Sequence, residues 1–208
     1  MKFMIAVAVL LACLQDEGWV ALFDGKSLDG WEQKNGTATY RVEDGCIVGK
    51  TMEGSPNSFL ATTKHYGDFE LKFEVKVDDE LNSGVQIRSA SKPDVDNGRV
   101  HGPQVEIAAA GMSGFIYAEG LKFGWLSEDR TDPKALASFK KGEWNRYRVR
   151  AEGKSIKSWI NDVPVADLVD EKTGMMSGFI GLQVHGIKKG TGPYEVRWRN
   201  LLLRELKK

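Results

Sequence analysis

Covalent staples are nearly absent from this chain of 208 residues. It has two cysteines, Cys13 and Cys46. If Cys13 is removed or modified during processing, no disulfide can form within the chain, and the fold must rest on a packed core. Cys46 lies in the apolar stretch Cys46-Ile47-Val48 and reads as a small buried hydrophobe. Histidine is scarce, with three in the chain. No H-E-x-x-H pair, Cys/His quartet or EF-hand loop is present, and neither is a P-loop or a Gly-x-Ser-x-Gly elbow. An excess of either charge is missing too. The 29 Lys and Arg balance the 29 Asp and Glu, so the basic stripe of a nucleic-acid binder is not there. The longest apolar run, Phe3 to Ala12, is too short to cross a bilayer as a helix. No repeat or low-complexity linker divides the chain, and its length suits one domain with one core.

The apolar run has another use. Met1-Lys2 followed by Phe3 to Ala12 fits a signal peptide over residues 1–12, which leaves a single domain over residues 18–208. Leu10-Leu11-Ala12-Cys13 resembles a bacterial lipobox, with Cys13 as the lipidated residue. Plain signal-peptidase cleavage nearby is the competing reading. The expectation is an exported protein, whether periplasmic, a cell-surface lipoprotein or secreted, that meets a membrane only through a lipid on Cys13.

Beyond residue 18 the chain is punctuated by turn dipeptides such as Asp24-Gly25, Asp29-Gly30 and Asp44-Gly45. Short β-prone runs lie between them. Phe69 to Val77 is the clearest. Phe69, Leu71, Phe73, Val75 and Val77 alternate with Glu70, Lys72, Glu74 and Lys76, which gives one dry face and one wet face. Asn82-Ser83-Gly84 reads as a turn, and Asn161-Asp162 suits a type I′ hairpin. A short helix is expected around Lys134 to Phe139. About a dozen strands without helical crossovers imply an all-β fold, a two-sheet antiparallel jelly-roll sandwich. Six Trp and 23 Gly suit a β protein that handles a flat, weakly charged ligand such as a sugar, although any single Trp is better read as core.

Three short strands carry an unusual polar face. Gln86 and Arg88 share a side, as do Gln104 and Glu106, and Gln183 and His185. If these strands are neighbours, the six side chains pave one surface that can hydrogen-bond a polyhydroxylated ligand. Any exposed sheet face carries polar residues, so a single such strand would mean little. His185 precedes Gly186 and needs little tuning to act as a base. Glu106 and His185 with a third ligand would suffice for a divalent metal ion, the one cofactor considered. Tyr117 and Trp125 are candidate stacking platforms. Glycosidases commonly set two carboxylates across the scissile bond. After Glu106, however, the chain reads Ile107-Ala108-Ala109-Ala110-Gly111, so a second carboxylate must come from elsewhere, with Glu74 as one option, or the chemistry must differ.

The ordered motifs resemble those of the 3-keto-disaccharide hydrolase domain family. They begin with Leu22-Phe23-Asp24-Gly25-Lys26-Ser27-Leu28-Asp29-Gly30-Trp31. Asn82-Ser83-Gly84-Val85 with Arg88, Gly142-Glu143-Trp144-Asn145, Trp159-Ile160-Asn161-Asp162, Gly181-Leu182-Gln183-Val184-His185-Gly186 and Val196-Arg197-Trp198-Arg199-Asn200-Leu201 follow. The resemblance covers residues 20–206. It implies a concanavalin-A-like lectin/glucanase fold, export, and glycosidase-type cleavage of glycosides or disaccharides oxidised to a ketone at sugar C3. The family's usual Glu-x-Gln followed by Asp is Gln104-Val105-Glu106 followed by Ala108 here, so acid and amide are exchanged and the Asp is gone. A C3 ketone acidifies the C2 proton, so one base can start elimination of the C1 leaving group, with water adding afterwards. The expected base is Glu106 or His185, Arg88 would stabilise the enolate, and Gln86, Gln104 and Gln183 would position hydroxyls. The alternatives are a non-catalytic, lectin-like carbohydrate-binding module and a surface structural protein.

Overall fold

A computed structural model describes residues 18–92 and 96–207. The signal-peptide and Cys13 lipidation readings fall outside the described residues.

The described residues form two antiparallel sheets. The eight-stranded sheet contains β1 (Val20–Ala21), β3 (Thr39–Glu43), β4 (Cys46–Lys50), β6 (Phe69–Val77), β11 (Asn145–Glu152), β12 (Ser155–Ile160), β13 (Val163–Val169) and β15 (Glu195–Glu205). Its order is β13-β12-β11-β6-β15-β4-β3, with β1 beside β15. The seven-stranded sheet contains β2 (Trp31–Lys34), β5 (Ser58–Thr62), β7 (Asn82–Ser89), β8 (Gly102–Ala108), β9 (Ile116–Glu119), β10 (Gly124–Trp125) and β14 (Phe179–Val184). Its order is β10-β9-β8-β7-β14-β5-β2. The chain passes repeatedly between the sheets, as a jelly roll does.

The alternation of β6 does what its sequence requires. Phe69, Leu71, Phe73, Val75 and Val77 are buried, while Lys72 and Lys76 face out. From the opposite sheet, Val85, Ile87, Val105, Ile107, Leu182 and Val184 complete the same core. Phe73 stacks on Tyr147 at 4.9 Å between ring centroids. Glu70 is also buried, beneath Arg148, Arg150 and Arg204. Burial acts to raise its pKa, but the hydrogen bonds and charges of Arg148 and Arg204 outweigh that, and the net shift is downward. Asn161 and Asp162 both take positive φ, at 50° and 70°, as a type I′ hairpin needs.

Two local expectations change. Asn82-Ser83-Gly84 is the start of β7 and not a turn, because Ser83 pairs with both Val184 and Ile107 inside the sheet. The expected helix is one turn, α1 (Pro133–Leu136), earlier and shorter than Lys134 to Phe139. Asp132 caps it by accepting the Lys134 amide, and Pro133 presets its first φ.

Candidate functional site

Strands β8, β7 and β14 are consecutive neighbours, so the three polar stretches lie side by side. Residues directly opposite across an antiparallel pair point to the same face. One row therefore runs Trp125, Tyr117, Gln104, Gln86, Gly181 and Ala61. The next runs Glu106, Gly84, Gln183 and Phe59. Glycines alternate with the long amides for a steric reason. A Cβ on Gly84 would sit 2.5 Å from Gln104 Cδ, and one on Gly181 would sit 3.3 Å from Gln86 Cβ.

Glu106 is the centre of this face. It is 6 % exposed, and Gln104 Nε2 donates to its Oε2 at 3.0 Å. Asn82, opposite Ala108 at the start of β7, donates its amide N–H to Oε1. Burial pushes the carboxyl above its ordinary pKa; the two amide donors pull it back, the Glu119 charge raises it, and His185 lowers it. From the core side, the Tyr147 hydroxyl donates to the main-chain carbonyl of Glu106 at 3.4 Å. Burial also raises the Tyr147 pKa far above the phenol range, so this donor stays neutral.

The amide heads of Gln86 and Gln183 find no hydrogen-bond partner among the described residues, and neither does Gln104 Oε1. Buried polar groups are normally satisfied, so these atoms call for a polar partner such as ordered water or a ligand group. His185 follows β14 and is exposed. Its Nδ1 lies 2.7 Å from the Gly186 carbonyl oxygen. That oxygen can only accept, so Nδ1 carries the proton and Nε2 presents its lone pair. Tyr117 and Trp125 meet edge to face at 5.1 Å, with the Arg130 guanidinium 4.9 Å from the Trp125 ring.

Arg88 is not on this face, contrary to expectation. The β7–β14 register slips between Phe179 and Gly181, and Arg88 takes φ 49°. This bulge breaks the alternation and re-aims the side chain. The guanidinium crosses to the other sheet, where it donates to Gly67 O at 2.7 Å, Gly153 O at 2.6 Å and Asp68 Oδ1 at 2.8 Å. It is a tie between sheets. Glu74 is likewise no second carboxylate, because it lies on β6 and is held by Arg199 and Asn200. The acid that the fold does bring near Glu106 is Glu119, at the end of β9. Asn82 and Glu119 are the site residues that sequence reasoning missed.

Among the described residues, no group of three or more His, Cys, Asp or Glu could hold a metal ion. Glu106 and His185 have no third ligand of these types, and both Glu106 oxygens already accept N–H donors. As placed, this pair does not fit a divalent cation.

Residues 97–100, just before β8, lie over the face as a strap. Asn35 Nδ2 donates to Gly98 O at 3.0 Å, and Val100 N donates to Asn35 Oδ1 at 2.7 Å. Val100 is buried with Phe59, Ala61 and Phe179. A cavity of about 580 Å³ lies beside it, walled by residues that include Phe59, Asn57, Asn97, Arg99 and Glu119.

Known proteins resemble this chain at three levels. A Parabacteroides distasonis protein with a provisional glycosyl hydrolase label superposes with a TM-score of 0.67 at 21% identity, covering 93% of this chain and 96% of that one. A Bacillus licheniformis β-glucanase superposes with a TM-score of 0.59 at 11% identity over 91% and 97% of the two chains. The carbohydrate-binding module CBM66 of Bacillus subtilis does so with a TM-score of 0.53 at 17% identity, over 85% and 96%. At these identities the likeness is one of fold, the galectin- and glucanase-like jelly roll. In sequence, 78 residues are 31% identical to the 3-keto-disaccharide hydrolase of Bacteroides thetaiotaomicron, which is 33% of this chain and 27% of that protein. Residues 18–204 match one domain family throughout, and the chain belongs to it: the 3-keto-alpha-glucoside-1,2-lyase-like domain family.

Proposed function

We propose that this protein is a glycosidase-type hydrolase that cleaves glycosides carrying a ketone at sugar C3, with Glu106 as the base. The observation behind this reading is a buried carboxylate, raised in pKa, on a floor of unpartnered glutamine amides. A base is most effective when its pKa approaches the working pH. Glu106 would take the C2 proton, and the released electron pair would pass to the C3 oxygen as an enolate. With Arg88 turned away, Gln86 Nε2 and Gln183 Nε2 are the donors for that oxygen. The pair then returns to form the C1–C2 double bond as the C1–O bond breaks. The leaving oxygen takes a proton, with His185 Nε2 as its source. Addition of water at C1, with a proton returned to C2, completes hydrolysis. Release before that addition would make the same protein a lyase, which is how one family can carry both descriptions.

The test is a product assay on 3-keto-trehalose and trehalose in D2O. Cleavage of the keto sugar alone, with deuterium entering C2, supports the reading. Cleavage of plain trehalose without C2 exchange overturns it. Binding of oligosaccharide without cleavage of either would favour the carbohydrate-binding module, for which the half-buried edge-to-face pair of Tyr117 and Trp125 is the specific argument. We further propose that the protein acts after export, which rests on the Met1–Cys13 pattern alone. Cell fractionation and palmitate labelling test it, and a cytoplasmic, unlabelled product would overturn export and lipidation together.

A further inference from the structure

We propose that the outer face of the eight-stranded sheet docks on a bilayer surface of anionic phospholipid headgroups. The inference goes beyond the glycosidase reading and rests only on the proposal of export past a membrane.

The chain enters the domain on this face. β1 pairs with β15, and Leu22 N donates to Leu201 O at 2.9 Å. Just before β1, the buried ring of Trp19 lies 4.2 Å from Lys72 Nζ and 4.8 Å from the Arg204 guanidinium. Lys72 is an outward member of β6, so Trp19 fixes the entry point on the outer surface. Residues 14–18 separate Cys13 from Trp19, a tether of at most roughly 20 Å at about 3.3–3.6 Å per residue. A lipid on Cys13 would keep Trp19 and its sheet face close to the bilayer. The polar face of Gln104, Glu106 and Gln183 lies on the far side of the core, because Val105, Ile107 and Leu182 between them point inward. Docking would turn that face away from the lipid.

The chemistry of the outer face suits headgroups. Lys72, Arg148, Arg150 and Arg204 gather around Glu70, and Arg150 also pairs with Glu152, so four cations meet two carboxylates. Trp159 and Trp144 are half-buried beneath Arg148 and Arg199, at 4.6 and 4.0 Å. Indoles with one apolar and one wet side favour the membrane interface. Four residues along β6 from Lys72, or about 13 Å, Lys76 lines a cavity of about 370 Å³ with Lys50 and Arg197. The acids in its wall are taken. Asp78 accepts the Glu195 amide at 2.8 Å, and Glu195 pairs with Arg41 and Arg197. Lys50, Lys72 and Lys76 have no ion-pair partner among the described residues. The Lys50 and Lys76 ammonium groups in the cavity supply charge-assisted donors that match a phosphate. Basic groups spread this far along one side fit an extended anionic surface better than a single small ion. Exposed charges act over only about 8–10 Å in physiological salt, so they need the closeness that the tether would give.

The experiment is vesicle flotation. Residues 18–208 contain both sheets and their shared core, so they serve as the lipid-free protein. They should float with phosphatidylcholine vesicles that include phosphatidylglycerol, at low salt, and stay behind at high salt or with phosphatidylcholine alone. Lys72→Gln and Lys76→Gln should each weaken partition about fivefold, the effect of one basic residue near an anionic surface, and together about 25-fold. Both side chains are exposed and make no ion pair, so the melting temperature should hold. Lys122→Gln, exposed between β9 and β10 of the other sheet, should float as the wild type does. An equal loss in Lys122→Gln, no effect of the β6 variants, or no binding to the anionic vesicles overturns the docking face. The readout needs neither turnover nor acylation. Failure to cleave keto sugars would therefore overturn the activity alone, and cytoplasmic retention in cells would overturn export alone.

Discussion

Gln104 Nε2 donates to Glu106 Oε2 at 3.0 Å, although the two residues belong to one strand and lie two positions apart. The contact is possible because both project to the same face and Gly84, opposite Glu106, leaves room for the Gln104 side chain. It fixes the orientation of the carboxylate set among these amides.

Replacing Glu106 should therefore abolish turnover and do little harm to the fold. Glu106→Gln keeps the shape, its amide oxygen can accept from one neighbour, and the other neighbour's amide can flip to accept its N–H. Loss of both keto-sugar cleavage and C2 deuterium exchange is the expected result, read by mass spectrometry. Exchange at the wild-type rate would assign the base to His185.

Activity should also depend on pH in a defined direction. The proton on Glu106 must leave before it can act, and burial raises its pKa above 4.5. The acid limb of kcat/KM should lie above the ordinary carboxylate range of about 4.3. Asn82 donates to the charged form and lowers that pKa, so Asn82→Ala should move the limb to still higher pH. A limb unmoved by Asn82→Ala would detach the profile from Glu106.

Gln86 and Gln183 should matter to kcat more than to KM. Donors aimed at a developing oxyanion are worth about 10²–10³ in rate. Gln183→Ala is expected to lower kcat by roughly that factor, and stopped-flow measurement of enone formation would show it. A rise in KM alone would make the amide a hydroxyl binder.

Arg88 should behave in the opposite way. It is 1 % exposed and donates to Gly67, Gly153 and Asp68. Removing one partner of a buried pair costs about 3–5 kcal/mol. Arg88→Met should melt well below the wild type and keep the kcat of whatever remains folded. Wild-type stability with lost activity would restore the enolate role expected from the sequence.

Acid should loosen the eight-stranded sheet around Glu70 before it touches the core. The Glu70 pKa is lowered in the fold, so its contribution to stability is complete above the unfolded carboxylate value and is lost as pH falls through the folded one. Glu70→Gln should flatten the fall in melting temperature below about pH 4, which a calorimetric pH series would reveal.

How much of this was legible depended on the range of the interaction involved. The burial of β6 followed from its own nine residues. The pairing of Gln86 with Gln104 and of Gln183 with Gly84 did not, because a strand carries the parity of its side chains and not the identity of its neighbours. Asn82 could have been found, since it shares parity with Gly84 and Gln86, but Asn-Ser-Gly is also turn chemistry. Arg88 was misread because a bulge at a non-glycine residue leaves no sign in the sequence. Glu119 sits among Ala118 and Gly120, with nothing local to tie it to an acid on another strand.

The crossing of Arg88 has a mechanical consequence. Its contacts at Gly67, Asp68 and Gly153 reach 21, 20 and 65 positions away in the chain and pin one end of the sandwich like a rivet. The trough floor cannot flatten or splay there to suit a guest. On the keto-glycoside reading, selectivity among sugars falls to the parts hung around this stiff frame, and above all to the Asn35 latch and the short strap it holds.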